Sequence, residues 1–169
     1  MVENKRKVKV VSILLIMIMT LGLLSGCGAN KDEKKAETDS YEQPVKNMIE
    51  GLSEANADKF LKAFPEYISE QMKLVFTEDY LKETVKKAEE EYGANLKMSY
   101  KITDKADIVE EDLREMEEEV KESFGKEIKI SKGYKLGVEV TTKGDDTEDK
   151  EVDEFKVYEV DGKWYMLAF

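Results

Sequence analysis

The chain is predicted to fold as an α+β domain, with N-terminal helices packed on a curved antiparallel sheet and one further helix inserted between strands. Three observations predict this. From Tyr41 to Gly93 apolar residues recur at spacings of three and four, the period of helices that bury one face. At Leu96 the period drops to two, as in strands with one buried side. The chain closes on Asp161-Gly162 between alternating runs, which calls for a two-residue hairpin. Helices first and a meander after them give α+β rather than alternating α/β.

Residues 1–26 precede that domain. Lys5, Arg6, Lys7 and Lys9 face one acid, Glu3; Val10 to Leu24 is apolar apart from Ser12, Thr20 and Gly22; Ser25 and Gly26 are small. This is the order of a secretory signal peptide, and the apolar run is shorter than the roughly 18 residues that a spanning helix needs. Leu24-Ser25-Gly26-Cys27 resembles the lipobox of bacterial lipoproteins. The resemblance implies that a diacylglyceryl group joins the Cys27 sulfur and that cleavage falls between Gly26 and Cys27. It implies a cell-membrane protein held by lipid on the extracytoplasmic face, of a one-membrane or a two-membrane envelope. Two acyl chains hold a protein stably, whereas one holds it only marginally. Cys27 is the only cysteine, so its use for lipid leaves no thiol for a disulfide, a metal cluster or a nucleophile.

Cleavage there leaves 143 residues, with 23 lysines and arginines against 37 aspartates and glutamates, a net charge of −14. That length suits one domain with a real core. So acidic a surface repels nucleic acid, because binding to its backbone rests on cations that neutralise phosphates. Residues 28–40, Gly-Ala-Asn-Lys-Asp-Glu-Lys-Lys-Ala-Glu-Thr-Asp-Ser, cannot bury enough to order themselves. They form, with Cys27, a tether of roughly 20 Å root-mean-square span. Residues 41–169 are then the folded domain.

The domain's elements follow in order. Tyr41, Val45, Met48, Ile49, Leu52 and Ala55 lie on one stripe, and Pro44 suits a first helical turn, where its missing N–H costs nothing. Asn56 or Asp58 caps a short helix with Phe60, Leu61 and Phe64, and Pro65 ends it and starts a third helix offering Ile68, Met72, Val75 and Phe76. Thr77 caps a fourth, with Leu81, Val85, Ala88 and Tyr92 inward and Gly93 as its stop. Leu96, Met98, Tyr100 and Ile102 then alternate as a strand. A helix interrupts, with Leu113, Met116, Val120 and Phe124 on its stripe, i,i+4 pairs Glu110–Arg114 and Glu117–Lys121, and Gly125 closing it. Alternation resumes with Ile128 and Ile130, then Tyr134, Leu136, Val138 and Val140, Gly133 being a candidate bulge; residues 143–150 form a charged turn.

The hairpin fixes a register. Pairing Val160 with Lys163 sets Glu159 opposite Trp164, Tyr158 opposite Tyr165, Val157 opposite Met166 and Phe155 opposite Ala168. Phe155, Val157, Trp164 and Met166 share one face, and Tyr158, Tyr165, Leu167 and Phe169 the other. With both faces apolar, the pair is either central in the sheet or covered on its second face by a partner.

The helix from Pro44 to Ala55, the step Asn56-Ala57-Asp58-Lys59-Phe60 and the closing Val160-Asp161-Gly162-Lys163-Trp164-Tyr165 resemble the nuclear transport factor two-like fold, and in particular small bacterial lipoproteins with that cone-shaped, cystatin-like α+β roll. The resemblance implies a pocket between sheet and helices; the inserted helix around Leu113 to Phe124 departs from the smaller enzymes of that fold, though such lipoproteins can carry one, and is expected over part of the pocket's mouth. Enzymes of that fold, such as ketosteroid isomerases and scytalone dehydratases, use Asp, Tyr or His inside the cone, and this chain has no histidine. An acid–base site here would need a buried carboxylate beside a tyrosine, the candidates being Tyr67, Tyr92, Tyr100 and Tyr134, with Trp164 as a further pocket residue. No nucleophile–base pair is legible, so the expectation is a non-catalytic binding or scaffold domain that receives a small molecule, a peptide or an envelope protein. Two alternatives stand beside it: an enzyme working by Asp/Tyr chemistry, and a structural homodimer joined through Tyr158, Tyr165, Leu167 and Phe169.

No cofactor or metal is expected. Asp145, Thr147 and Asp149 have the spacing of a calcium loop, but Lys150 stands where it needs glycine and Lys156 where it needs the closing acid. Glu115, Glu117, Glu118, Glu119 and Glu122 read as the wet face of a helix.

Overall fold

In the computed structural model the described residues are 40–167. The signal segment, Gly26, Cys27, most of the tether, Ala168 and Phe169 fall outside them. The order is α1 (Gln43–Ser53), α2 (Ala57–Leu61), α3 (Glu66–Met72), α4 (Glu78–Tyr92), β1 (Lys97–Asp107), α5 (Glu110–Phe124), β2 (Ile130–Lys143), β3 (Glu148–Val160) and β4 (Lys163–Tyr165). The strands form one antiparallel sheet in the order β1-β2-β3-β4. This is the α+β architecture the sequence predicts.

The helix boundaries follow their caps. Asn56 accepts the Lys59 N–H and Thr77 the Tyr80 N–H, each satisfying a donor that a helix start leaves orphaned. Gly125 ends α5 in the left-handed conformation, at φ 62°. Ahead of α1 the Ser40 carbonyl accepts the Gln43 N–H at 2.9 Å. Val75, expected in the core, is 53% exposed, since α3 ends at Met72 before its stripe returns inward.

Side-chain alternation gives the sheet two faces. Tyr100, Ile102, Tyr134, Leu136, Val138, Val140, Phe155 and Val157 share the first, across which α1 lies. Val45, Met48, Ile49, Leu52, Phe60 and Leu81 fill the space between, so the interior beneath α1 is a packed core. The second face is polar except at one end. There Gly133, Tyr158 and Val160 lie under α5, with Val120 and Ile108 buried against them. The inserted helix therefore packs on the face opposite α1.

Two bulges interrupt the alternation, and neither is at Gly133. One, between Ile130 and Lys132, turns Ile130 to the α5 side beside Val160. The other, between Ile102 and Asp104, turns Lys105 onto the first face. Gly133 is small for a different reason: a Cβ there would lie 2.8 Å from Leu113 Cδ2.

The hairpin forms in the expected register, with Asp161 at φ 52° and Gly162 at φ 75°. Its place corrects an expectation. β4 is the sheet's edge, not its centre, and ends before Met166 can pair with Val157. On the second apolar face the chain itself buries Tyr158, 2% exposed, and Leu167, 7% exposed, while Tyr165 stays half-buried beside the cleft described below.

The β2–β3 turn is shorter than residues 143–150, because Glu148, Asp149 and Lys150 belong to β3. It caps α4: the Asp146 and Thr147 N–H groups donate to the Tyr92 carbonyl at 3.0 and 3.2 Å, and Asn95 donates to Asp145 at 2.9 Å. A Cβ on Gly144 would stand 2.6 Å from the Tyr92 carbonyl carbon. Asp145 is thereby occupied with structure.

Candidate functional site

Among the described residues one concavity lies beside the sheet rather than within it. A cleft of about 560 Å³ opens where the start of α1, the α2–α3 corner and β4 meet. Gln43 and Asn47 line one wall, Asp58, Lys62 and Glu66 another, and Trp164 and Tyr165 the third. The hairpin's register puts Trp164 on the first sheet face and Tyr165 on the second, so the short β4 offers both rings to this edge.

The polar wall is prearranged. Gln43 Nε2 donates to Asn47 Oδ1 at 2.8 Å, and Asn47 Nδ2 reaches the Lys62 carbonyl at 3.4 Å. Lys73 pairs with Glu70 and lies in the field of Asp58 and Glu66, all of which raise its pKa. Lys62 and Lys163, also on the lining, have no ion-pair partner among the described residues. Both ammonium groups are exposed and share the lining with the carboxylates of Asp58 and Glu66.

Behind the cleft stands an aromatic cluster. Trp164 stacks on Tyr134 with ring centroids 5.1 Å apart and planes 11° from parallel, and Tyr41 meets both edge-on, at 5.2 Å from Tyr134 and 6.2 Å from Trp164. The Lys105 ammonium lies 4.7 Å from the Tyr41 centroid and 4.6 Å from that of Tyr134. Its attraction to the two ring faces holds the cluster closed.

Of the five pocket residues named from sequence, only Tyr134 and Trp164 are brought together, and only Trp164 lines the cleft. Tyr67 packs edge-on to Phe124 at 5.4 Å, its hydroxyl buried without a hydrogen-bond partner among the described residues. Burial, and secondarily Tyr165, push its pKa up to about 12. Tyr92 is 4% exposed under the Gly144 turn. Tyr100 is half-buried on the first sheet face, its pKa raised by burial and then by Glu42 and Glu50. These five line no common cavity, because the space beneath α1 is filled. Gln43, Asn47, Lys62 and Lys163 carried no local motif; their convergence depends on how α1 and α2 cross.

Two acids expected on the wet face of α5 divide. Glu115 is exposed, whereas the Glu117 side chain is only 19% exposed, accepting the Ile130 N–H and standing 3.3 Å from Lys129. The expected Glu117–Lys121 pair is absent, since Lys121 turns instead to Glu127 at 2.8 Å.

Comparisons with protein-family models, curated proteins and solved structures return no match to this chain.

Proposed function

We propose that this chain is a lipid-tethered, extracytoplasmic binding module without catalytic activity. Diacylglyceryl on Cys27 would hold it at the membrane, and residues 28–40 would carry the domain clear of the headgroups. One observation carries the binding reading: the interior is packed, while the cleft at the β4 edge combines two aromatic rings with Lys62 and Lys163. Such a lining fits a small molecule or peptide that presents a carboxylate or other anion beside a flat apolar group.

Trp164 is the only tryptophan, so its emission reports on the cleft directly. Titration with a panel of anionic aromatic compounds and short peptides is expected to shift that emission and raise the melting temperature. The double variant Lys62→Glu, Lys163→Glu should abolish both effects. A panel that moves neither reading in the parent protein counts against the cleft. Fatty-acid labelling of cells, lost in Cys27→Ser, tests the anchor separately.

A further inference from the structure

The three residues of β4 cover only Tyr158–Val160 of the long strand β3. The chain then leaves the sheet, the Met166 N–H donating to the Ala63 carbonyl at 2.8 Å. Among the described residues the rest of β3 is an edge. Because a two-residue hairpin makes Val160 and Lys163 a hydrogen-bonded pair, strand alternation directs the N–H and C=O of the even residues outward. Those residues are Glu148, Lys150, Val152, Glu154 and Lys156. Among the described residues no helix, loop or turn bonds to their backbone; the Lys150 N–H is met by the Asp149 carboxylate at 2.9 Å.

Their side chains read the same way under a two-fold rotation. Laid antiparallel against itself about Val152, the edge sets Glu148 opposite Lys156, Lys150 opposite Glu154, and Val152 opposite Val152. Shifting the register by one pair either way sets Glu148 against Glu154 or Lys150 against Lys156. Only the central register is charge-complementary, and at its centre lies Val152, 67% exposed. Exposed edges are commonly blunted with scattered charge; here the charges are self-complementary. We propose that two copies of this chain pair through this edge, antiparallel about a two-fold axis at Val152, joining their sheets. Glu151 of one copy faces Asp153 of the other on the opposite sheet face. The two-dimensional confinement of a membrane-held chain would strengthen the pairing.

Cysteine scanning in the full-length chain in detergent tests this. Paired strands hold opposed Cα atoms about 5.5 Å apart, within disulfide reach. Val152→Cys should cross-link to a dimer on mild oxidation at least tenfold faster than Lys150→Cys or Glu154→Cys, after subtracting the parent chain that carries Cys27. In the Val152→Cys background, Lys150→Glu or Glu154→Lys alone should slow cross-linking tenfold or more, and the two together should restore it. Equal rates at the three positions, indifference to the charge swap, or cross-linking only to a different protein would each overturn the proposal. All these positions are solvent-facing, and circular dichroism matching the parent keeps a slow rate attributable to the edge rather than to misfolding.

Discussion

Glu117 accepts the backbone N–H of Ile130 at 2.7 Å, tying the middle of the inserted helix to the first residue of β2. The bond falls beside the bulge that turns Ile130 towards Val160, where the ladder alone does not fix the strand. Glu117→Ala leaves a buried donor unmatched and is expected to cost about 1.5–3 kcal/mol in urea denaturation. Glu117→Gln keeps an acceptor and should cost less than about 1 kcal/mol. Equal losses would mean that charge, not the hydrogen bond, is what matters.

Gly51 offers a test with an inverted sign. In an ordinary helix interior Gly→Ala stabilises by roughly 0.8–1 kcal/mol. Here a Cβ would stand 2.6 Å from the Phe60 Cα, because α1 and α2 cross backbone to backbone. Gly51→Ala is therefore expected to lose about 1–3 kcal/mol, read as a fall in the urea midpoint. A gain would show that the crossing can widen without cost.

These two residues mark where sequence reading stops. The helix stripes, both side-chain caps and the hairpin register were legible because each is local: a period, a capping residue, a turn pair. Gly51 reads as a weak helix position until Phe60 is known to lie against it. Glu117 reads as one of five wet acids until the β2 bulge presents an N–H to it. The cleft failed to show for the same reason, since Lys62 and Lys163 lie about a hundred residues apart and only the docking of β4 brings them together. The proposed anchor, by contrast, is read entirely from contiguous residues around Cys27, outside the described part of the fold.

Tyr67 should set part of the protein's alkaline limit. Its pKa is about 12 in the folded state against about 10 when unfolded. The unfolded chain thus loses this proton first. The stabilisation is complete below pH 10, declines as pH rises, and is spent once folded Tyr67 ionises near 12. Tyr158, whose pKa burial raises further, adds to the same decline. Tyr67→Phe removes a hydroxyl that has no partner among the described residues, so it should stabilise at neutral pH by about 1 kcal/mol and flatten the loss between pH 10 and 12. Denaturation at a series of pH values, comparing variant with parent, isolates this term from lysine titration. An unchanged slope would place the Tyr67 hydroxyl in water.

Lys105 reaches the aromatic cluster only because the bulge at Thr103 reverses the parity of β1; in unbroken alternation its side chain would lie on the α5 side. The Thr103 hydroxyl secures that bulge by donating to the Gly137 carbonyl at 3.1 Å. Lys105→Met keeps the alkyl stem and removes the charge, so the expected loss of about 0.5–1 kcal/mol measures the cation–π attraction. Lys105→Arg should retain most of it. Thr103→Val, which loosens the bulge, should reproduce part of the Lys105→Met loss and add little to it in the double variant, because both changes act on one ammonium. Trp164 stacks on Tyr134 behind the cleft and also lines it, so loosening the cluster should weaken ligand binding at the cleft with no change to any lysine that lines it. Full additivity of the two variants, or unchanged binding in Lys105→Met, would separate the cluster from the cleft and leave Lys105 a purely structural contact.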